Sequence, residues 1–109
     1  MSELAPVNQT CPDADEVIAT LRAHEAELRG VGIKRLSLFG SVARGDAVPD
    51  SDVDLAVELD RSARIDLFKL IALEERIGKL LGRKVDLVPE PIEKPRLRRN
   101  VERDRKLAF

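Results

Sequence analysis

The sequence contains few aromatic and sulfur-bearing side chains. Its 109 residues include three Phe, no Trp, no Tyr and a single cysteine, Cys11. So few aromatic rings argue against a surface on which the bases of single-stranded nucleic acid stack. One cysteine rules out an internal disulfide and fits a reducing compartment. No apolar run approaches the roughly 20 residues that cross a bilayer, and the start lacks the features of a secretory signal. We therefore expect a cytoplasmic protein that does not bind membranes.

A strong charge of one sign is also missing. The formal net charge is -1, which argues against general affinity for nucleic acid or anionic membrane, since both depend on a positive field. The distribution is uneven, however, because residues 90–109 carry seven Lys or Arg and four Asp or Glu. This basic end could meet an acidic partner or form a solvated helix face, and the sequence leaves both interpretations open.

Length and composition predict one domain. The chain is 43% hydrophobic, which suffices for a single core at this length. Residues 1–12 contain two prolines and no periodicity, so we interpret them as a flexible leader before an ordered domain at 13–109. Alternation predicts strands at 34–39, 51–59 and 83–88, and helical spacing predicts helices at 13–29, 65–81 and from Pro95 to about Glu102, followed by a short strand or tail. His24 falls on or near the apolar stripe of the first helix, which favours a structural role.

Gly40 and Ser41 directly follow the first predicted strand. A glycine there lets a ligand approach the backbone, and a helix that begins at Ser41 points unpaired N–H groups at a phosphate. When these two residues are considered alone, an ordinary tight turn is the better explanation.

Asp52 and Asp54 lie two positions apart in a predicted strand, so their side chains share one face, with Cα atoms about 6.5–7 Å apart. Two adjacent carboxylates repel each other and are stabilised by a shared cation, for which Mg²⁺ is suited because it takes carboxylate, water and phosphate oxygens. Alone, the pair also fits a solvent-facing strand. Asp86 changes the balance, because it projects from the same sheet face if the second and third strands are neighbours. Three carboxylates facing a glycine-serine turn provide the groups for two-metal phosphoryl or nucleotidyl transfer.

The segment from Gly40 to Leu59, GSVARGDAVPDSDVDLAVEL, resembles the signature of the minimal nucleotidyltransferases in the DNA polymerase beta superfamily. The resemblance implies an α/β (α+β) domain with a mixed sheet of three or four strands and helices mainly on one face, which leaves the carboxylates on the open face. It extends over the whole predicted domain at 13–109, through KVDLV to the closing PRLRRNVERDRKLAF.

The resemblance also implies roles for individual residues. Asp52 and Asp54 would bind two Mg²⁺ ions, and Asp86 would complete the metal site and help to deprotonate the acceptor. Gly40 and Ser41 would hold the β and γ phosphates of a nucleoside triphosphate. Arg44 lies where it could reach a phosphate, or it could pair with Asp46 or Asp50 at the surface. Ser51 fits a turn or the start of a strand.

Minimal members of this superfamily are typically encoded beside a small helical HEPN protein. The resemblance therefore implies an antitoxin of type VII character that transfers AMP from ATP to a hydroxyl, expected to be a tyrosine, of a HEPN toxin. Two alternatives stay open: an antitoxin that blocks its partner sterically, and an enzyme that modifies small molecules such as aminoglycosides. The basic end and the helix at 65–81 are candidate docking surfaces. Nucleotide preference and the formation of homo- or hetero-oligomers are left open by the sequence.

Overall fold

The computed structural model describes residues 11–109, and the predicted leader falls largely outside this range. A mixed sheet of four strands has the order β3-β2-β1-β4. The strands are β1 (Ile33–Phe39), β2 (Val53–Leu59), β3 (Val85–Pro89) and β4 (Lys106–Leu107). The helices are α1 (Ala14–Ala23), α2 (Glu25–Gly30), α3 (Gly40–Arg44), α4 (Leu67–Leu81) and α5 (Pro95–Asp104). The predicted mixed sheet is confirmed. No helix within 11–109 is both long and apolar enough to cross a bilayer.

The sheet pairs strands of both directions. β1 runs antiparallel to β2 and to β4, whereas β2 and β3 run parallel. The parallel connection passes through α4, as a crossover between parallel strands requires. As a result, the carboxyl end of β1 and the amino ends of β2 and β3 lie together at one end of the sheet.

One face of the sheet carries the main core. The alternate residues of β2 that were predicted to face inward do so, since Val53, Leu55 and Val57 are fully buried. They pack in one cluster with apolar side chains of α1, α2 and α4: Val17, Leu21, Leu28, Leu73 and Ile77. Removal of this apolar surface from water supplies the main favourable contribution to folding.

The opposite face is only partly open. A second cluster of buried residues consists of Phe39, Ala56, Ile92 and Val101, of which Val101 belongs to α5. The prediction of helices mainly on one face holds, but α5 covers part of the face that carries the carboxylates. The sequence did not indicate this cover, because the alanine in β2 between Asp54 and Glu58 looked like a solvent-facing position.

The first predicted helix is broken at His24. α1 begins after Asp13, whose carboxylate accepts a hydrogen bond from the Glu16 backbone N–H at 3.1 Å, as the capping pattern predicted. His24 leaves the helical backbone conformation, with φ -110° and ψ 16°, and separates α1 from α2. Its Nδ1 lies 2.9 Å from the Thr20 carbonyl oxygen, and the side chain is half-buried. His24 is therefore a residue of a helix junction.

The prediction for α4 was right about its existence and wrong about part of its apolar face. Leu73 and Ile77 are buried, but Phe68 is 81% exposed and Ile71 is 45% exposed. The helix begins two residues later than predicted, at Leu67, because Asp66 caps it by accepting from the Lys69 N–H at 2.9 Å. The side of α4 that packs on the sheet carries Leu73 and Ile77, so Leu67 and Phe68 in the first turn lie on the solvent side.

Candidate active site

The site begins at the junction of β1 and α3. Gly40 has φ +80°, in the left-handed region that glycine tolerates and most other residues avoid. A Cβ at this position would overlap Asp54 Oδ2 and lie 3.1 Å from Asp54 Cγ. Glycine is required here because the Asp54 carboxylate packs directly against the backbone of the turn.

Asp54 and Asp86 are direct neighbours across the parallel pair of strands. The register of β2 and β3 pairs Asp54 with Asp86, and residues paired in this way project from the same side of a sheet. Asp54 is also paired with Phe39, the last residue of β1, which is the strand that flanks β2 on the side opposite β3. The sheet therefore brings the carboxylate pair to the position where β1 turns into α3, and Asp86 projects on the side that the sequence predicted.

Asp52 lies at the edge of this pair. It precedes β2 by one residue and is exposed, whereas Asp54 is half-buried. Burial, followed by the negative charges of Asp86 and Asp52, raises the pKa of Asp54 to about 6. Arg44 acts in the opposite direction and lowers the pKa. The direction follows from physics, since both desolvation and like charges disfavour the ionised carboxylate.

Ser41 lies in the first turn of α3 and is half-buried. Its carbonyl oxygen accepts hydrogen bonds from the N–H groups of Gly45 and Asp46, both at 3.0 Å. These bonds close the short helix at Gly45, whose φ of 83° is again left-handed. The turn that begins at Gly40 is thus fixed at both ends. Ser51, by contrast, closes the following turn, where its Oγ accepts from the Val48 N–H at 2.9 Å.

Arg44 is engaged by two carboxylates. Its Nε lies 3.2 Å from Asp46 Oδ2, so one of the two alternatives considered for this residue, the surface pair with Asp46, is present. Its Nη1 lies 2.8 Å from Asp104 Oδ2. The guanidinium thus links α3 to the end of α5 close to the carboxylates.

Asp104 is a site residue that the sequence reasoning missed. Its side chain is only 2% exposed, because the guanidinium groups of Arg44 and Arg103 cover it. Hydrogen bonds from Arg103 and from Arg44 lower the pKa of Asp104. The available signal was its helical spacing from Leu97 and Val101, which places all three on the inward face of α5.

The carboxylates fit the chemistry of a divalent cation. Asp54 and Asp86 offer adjacent oxygen ligands of the hard type that Mg²⁺ prefers. The pKa of Asp54 is raised first by burial and then by the negative charges of Asp86 and Asp52, and a bound cation would offset these charges. Within residues 11–109, however, no three Asp, Glu, His or Cys side chains form a preassembled metal centre. The structure brings two of the three predicted ligands together as neighbours and leaves Asp52 at their margin.

Comparison with known proteins gives concordant matches. The family model described as the nucleotidyltransferase domain matches residues 21–108. The protein adenylyltransferase MntA of Thermococcus cleftensis is 40% identical over 91 residues, which cover 83% of this chain and 90% of that protein. The range of the family model includes the glycine-serine turn and all three aspartates.

Solved structures agree with this assignment. A structure described as a minimal nucleotidyltransferase is 36% identical, with a TM-score of 0.70 over 86% of this chain and 94% of that chain. A chain of a toxin-antitoxin structure with AMP-PNP has a TM-score of 0.64 at 24% identity, over 87% of this chain and 71% of that chain, and shows the shared fold. The protein described here therefore belongs to the nucleotidyltransferase domain family.

Proposed function

We propose that this protein is a Mg²⁺-dependent protein adenylyltransferase that transfers AMP from ATP to a hydroxyl of a HEPN-type toxin and thereby acts as its antitoxin. The observation that carries the proposal is the packing of the Asp54 carboxylate on the Gly40 turn, with Asp86 paired beside it. This arrangement joins a phosphate-binding type of turn to a carboxylate pair, and the relative with 40% identity is a protein adenylyltransferase.

The reaction has a simple bond balance. An acceptor hydroxyl oxygen attacks the α-phosphorus of ATP, the bond from that phosphorus to the oxygen bridging to the β-phosphate breaks, and pyrophosphate leaves. In our assignment, the Gly40–Ser41 turn holds the β and γ phosphates and Asp86 helps to take up the hydroxyl proton. Asp52, Asp54 and Asp86 would hold two Mg²⁺ ions, which neutralise the carboxylates and stabilise charge on the phosphoryl oxygens when bound.

Arg44 contributes to this site through its charge. It is close enough to Asp54 to lower the pKa of that carboxyl, while Asp46 and Asp104 hold its guanidinium. We assign it to the positive side of the phosphate site, where an arginine can offer a further N–H donor to a phosphate oxygen.

The acceptor assignment rests on the relatives. Neighbours of the same fold were solved in toxin-antitoxin structures, and one of these contains a tri-AMPylated HEPN toxin from Shewanella oneidensis. A tyrosine hydroxyl of such a partner, modified in the cytoplasm, is the acceptor that we propose.

The test is transfer of label from ATP carrying ³²P at the α position to the HEPN-type protein that we expect a neighbouring gene to encode. We expect Mg²⁺-dependent labelling of that protein, its loss on addition of EDTA, and its loss in the double variant Asp52→Ala, Asp54→Ala. The exposed turn residue Asp50, changed to Ala, serves as the matched control and should keep full activity.

Two results would contradict the proposal. The double variant, which should not label the toxin, could still neutralise it as efficiently as the wild type does. That result would show that steric binding is sufficient for neutralisation. Labelling of aminoglycosides or other small hydroxylated acceptors, without labelling of the protein, would identify a small-molecule enzyme instead.

A further inference from the structure

The outer surface of α5 carries arginines that have no acidic partner in the described chain. Arg96, Arg98 and Arg99 are all exposed. Leu97, Val101 and Asp104 face the protein. At about 100° per residue, Arg99 lies on the opposite side of the helix, and Arg96 and Arg98 flank it on the two sides. No ion pair within residues 11–109 involves any of the three, although six other arginines form such pairs: Arg29, Arg35, Arg44, Arg76, Arg103 and Arg105. We call Arg96, Arg98 and Arg99 the arginine face.

The arginine face lies next to the candidate active site. α5 packs on the sheet face that carries Asp54, through contacts of Val101 with Phe39 and Ala56. Its last residue, Asp104, is bonded at 2.8 Å to Arg44 of α3, the helix that starts at Gly40. The buried apolar contacts and the ion pair fix α5 against the turn. Any macromolecule that approaches the carboxylates over this face of the sheet therefore has to pass beside α5.

The choice of arginine is informative. A helix face that only keeps a protein in solution is served by mixed Lys and Glu with pairs one turn apart. Here Glu102 lies one turn after Arg98 on the same helix, yet the two form no ion pair in the described structure. Arginine is enriched in protein interfaces because its planar guanidinium binds carboxylates through two N–H groups and is weakly hydrated.

The same features argue for a protein rather than for RNA. The chain as a whole has a formal net charge of -1 and no Trp or Tyr, so it lacks both the extended positive field and the stacking side chains of a nucleic-acid surface. A local basic face on a nearly neutral protein fits a partner surface of opposite charge and limited area.

We infer that the arginine face is the surface on which the acceptor protein docks, through a cluster of Asp and Glu side chains close to its modified hydroxyl. This inference rests on the proposed adenylyl transfer to a protein. The arginine face attracts the acidic cluster, and the fixed contact between α5 and α3 then sets the distance from the docked surface to the Gly40 turn. Its effect is on acceptor binding, whereas ATP binding depends on α3 and the carboxylates.

The test compares two variants of equal net charge. In the first, Arg96, Arg98 and Arg99 are changed to Glu. In the control, three exposed basic residues away from α5 are changed to Glu: Arg61, Arg64 and Lys69, of which Lys69 lies in the first turn of α4. Acidic residues in the first turns of a helix are compatible with its dipole, and circular dichroism and thermal unfolding verify that both variants fold. Labelling of the neighbouring HEPN-type protein is then measured at varied acceptor concentration and varied salt, and Mg²⁺-ATP binding is measured separately.

We expect the α5 variant to raise the KM for the acceptor protein by about 10-fold or more, and the control variant to change it by less than about 2-fold. The affinity for Mg²⁺-ATP should be unchanged in both. The wild-type KM should rise with salt, and this dependence should weaken in the α5 variant.

Three outcomes are separable. If wild type labels the partner and the α5 variant does so with an unchanged KM, the docking inference is wrong and the proposed function stands. If wild type never labels the partner, the proposed function itself fails. If the wild type binds a fluorescent 20-nucleotide single-stranded RNA and the α5 variant does not, while the KM for the acceptor protein is unchanged, the arginine face is an RNA surface and the inference is overturned.

Discussion

Among single residues, Asp54 has an electrostatic cost at the position that we propose binds metal. Burial and the charges of Asp86 and Asp52 raise its pKa to about 6, against a usual value of 3.8. A group whose pKa is raised by folding stabilises the folded state in its protonated form. That stabilisation is complete below about pH 4 and is lost as the pH rises through about 6. At neutral pH the metal-free protein therefore carries an unfavourable negative charge at this position.

The change Asp54→Asn should abolish nucleotidyl transfer and stabilise the metal-free protein at pH 7.5 by about 1–2 kcal/mol. This range is below the full value of the pKa shift because Asp54 is partly exposed. The gain should shrink at pH 4.5, where Asp54 is mostly protonated in the wild type. Urea unfolding in EDTA at both pH values measures the effect, with the exposed Asp50→Asn as control. A destabilised Asp54→Asn protein at pH 7.5 would mean that the charge is compensated by Arg44 or another partner.

The structural role of Gly40 could be predicted from the local sequence, whereas that of Asp104 could not. Gly40 follows a strand and precedes Ser41, so a turn that approaches a ligand could be proposed from local pattern. Asp104 is one of many acidic residues in a charged segment, and its burial depends on two arginines, one of which is distant in sequence. A local pattern does not contain that contact, because Arg44 and Asp104 are brought together only by the packing of α5 on the sheet.

At the level of elements, β3 shows how an edge strand is protected. The Glu90 N–H donates to the Val57 oxygen and the Val53 N–H to the Lys84 oxygen, so even-numbered residues of this segment bond to β2. The backbone N–H and C=O groups of odd-numbered residues point to the outer edge of the sheet, away from β2. At these positions the Leu87 N–H donates to Glu74 Oε2 at 2.9 Å, and Pro89 has no N–H to offer. Both features hinder pairing with a strand of another molecule.

α4 provides a test of which apolar residues support the fold. Leu73→Ala should cost about 2–4 kcal/mol of unfolding free energy, because Leu73 is 6% exposed and its removal leaves a cavity. Phe68→Ala should change the free energy by less than about 0.5 kcal/mol, because Phe68 is 81% exposed. Urea unfolding of the two variants at equal protein concentration measures the difference. Equal losses for both would show that the outer face of α4 is packed in solution.

The comparison of α4 with β2 explains why one was predicted better than the other. In β2 the alternation of Val53, Leu55 and Val57 fixes the inward face, since a shift of one residue would bury Asp54 among apolar side chains. In α4 the apolar positions extend around more than half of the helix. Several rotations of the helix would then bury a similar area, and only the sheet surface beneath it selects the one that buries Leu73 and Ile77.

On the scale of the whole molecule, the end of the chain closes the sheet. The Ala108 N–H donates to the Leu36 oxygen at 2.9 Å, and the Leu36 N–H donates to the Phe109 oxygen at 3.1 Å. Arg22 Nε of α1 donates to the Ala108 oxygen at 2.7 Å. These contacts join the final residues to both the central strand and the first helix, and Ala108 is buried.

Deletion of residues 106–109 should therefore lower the unfolding free energy by about 2–4 kcal/mol, at about 1 kcal/mol for each lost hydrogen bond together with the buried Ala108. The midpoint of thermal unfolding should fall accordingly. The exposed side chain of Lys106, changed to Ala in the full chain, is the control and should leave the midpoint within about 1–2 °C. A deletion variant with unchanged stability would show that β4 is not part of the cooperative fold.

The sequence by itself determined the kind of site. The glycine-serine turn, the spacing of Asp52 and Asp54 and the alternation around Asp86 are local patterns, and each depends only on strand geometry and side-chain chemistry. The existence of most helices and strands follows from the same local periodicities. These features survive any arrangement of the elements in space.

The tertiary structure decided which of these residues meet. The register of β2 with β3 places Asp86 beside Asp54, the packing of α5 buries Asp104 against Arg44, and the contact of α4 with the sheet leaves Phe68 exposed. Each of these outcomes depends on the relative position of segments far apart in the chain. Such positions are set by the sum of many weak packing and hydrogen-bonding contributions, which a pattern within one segment does not contain.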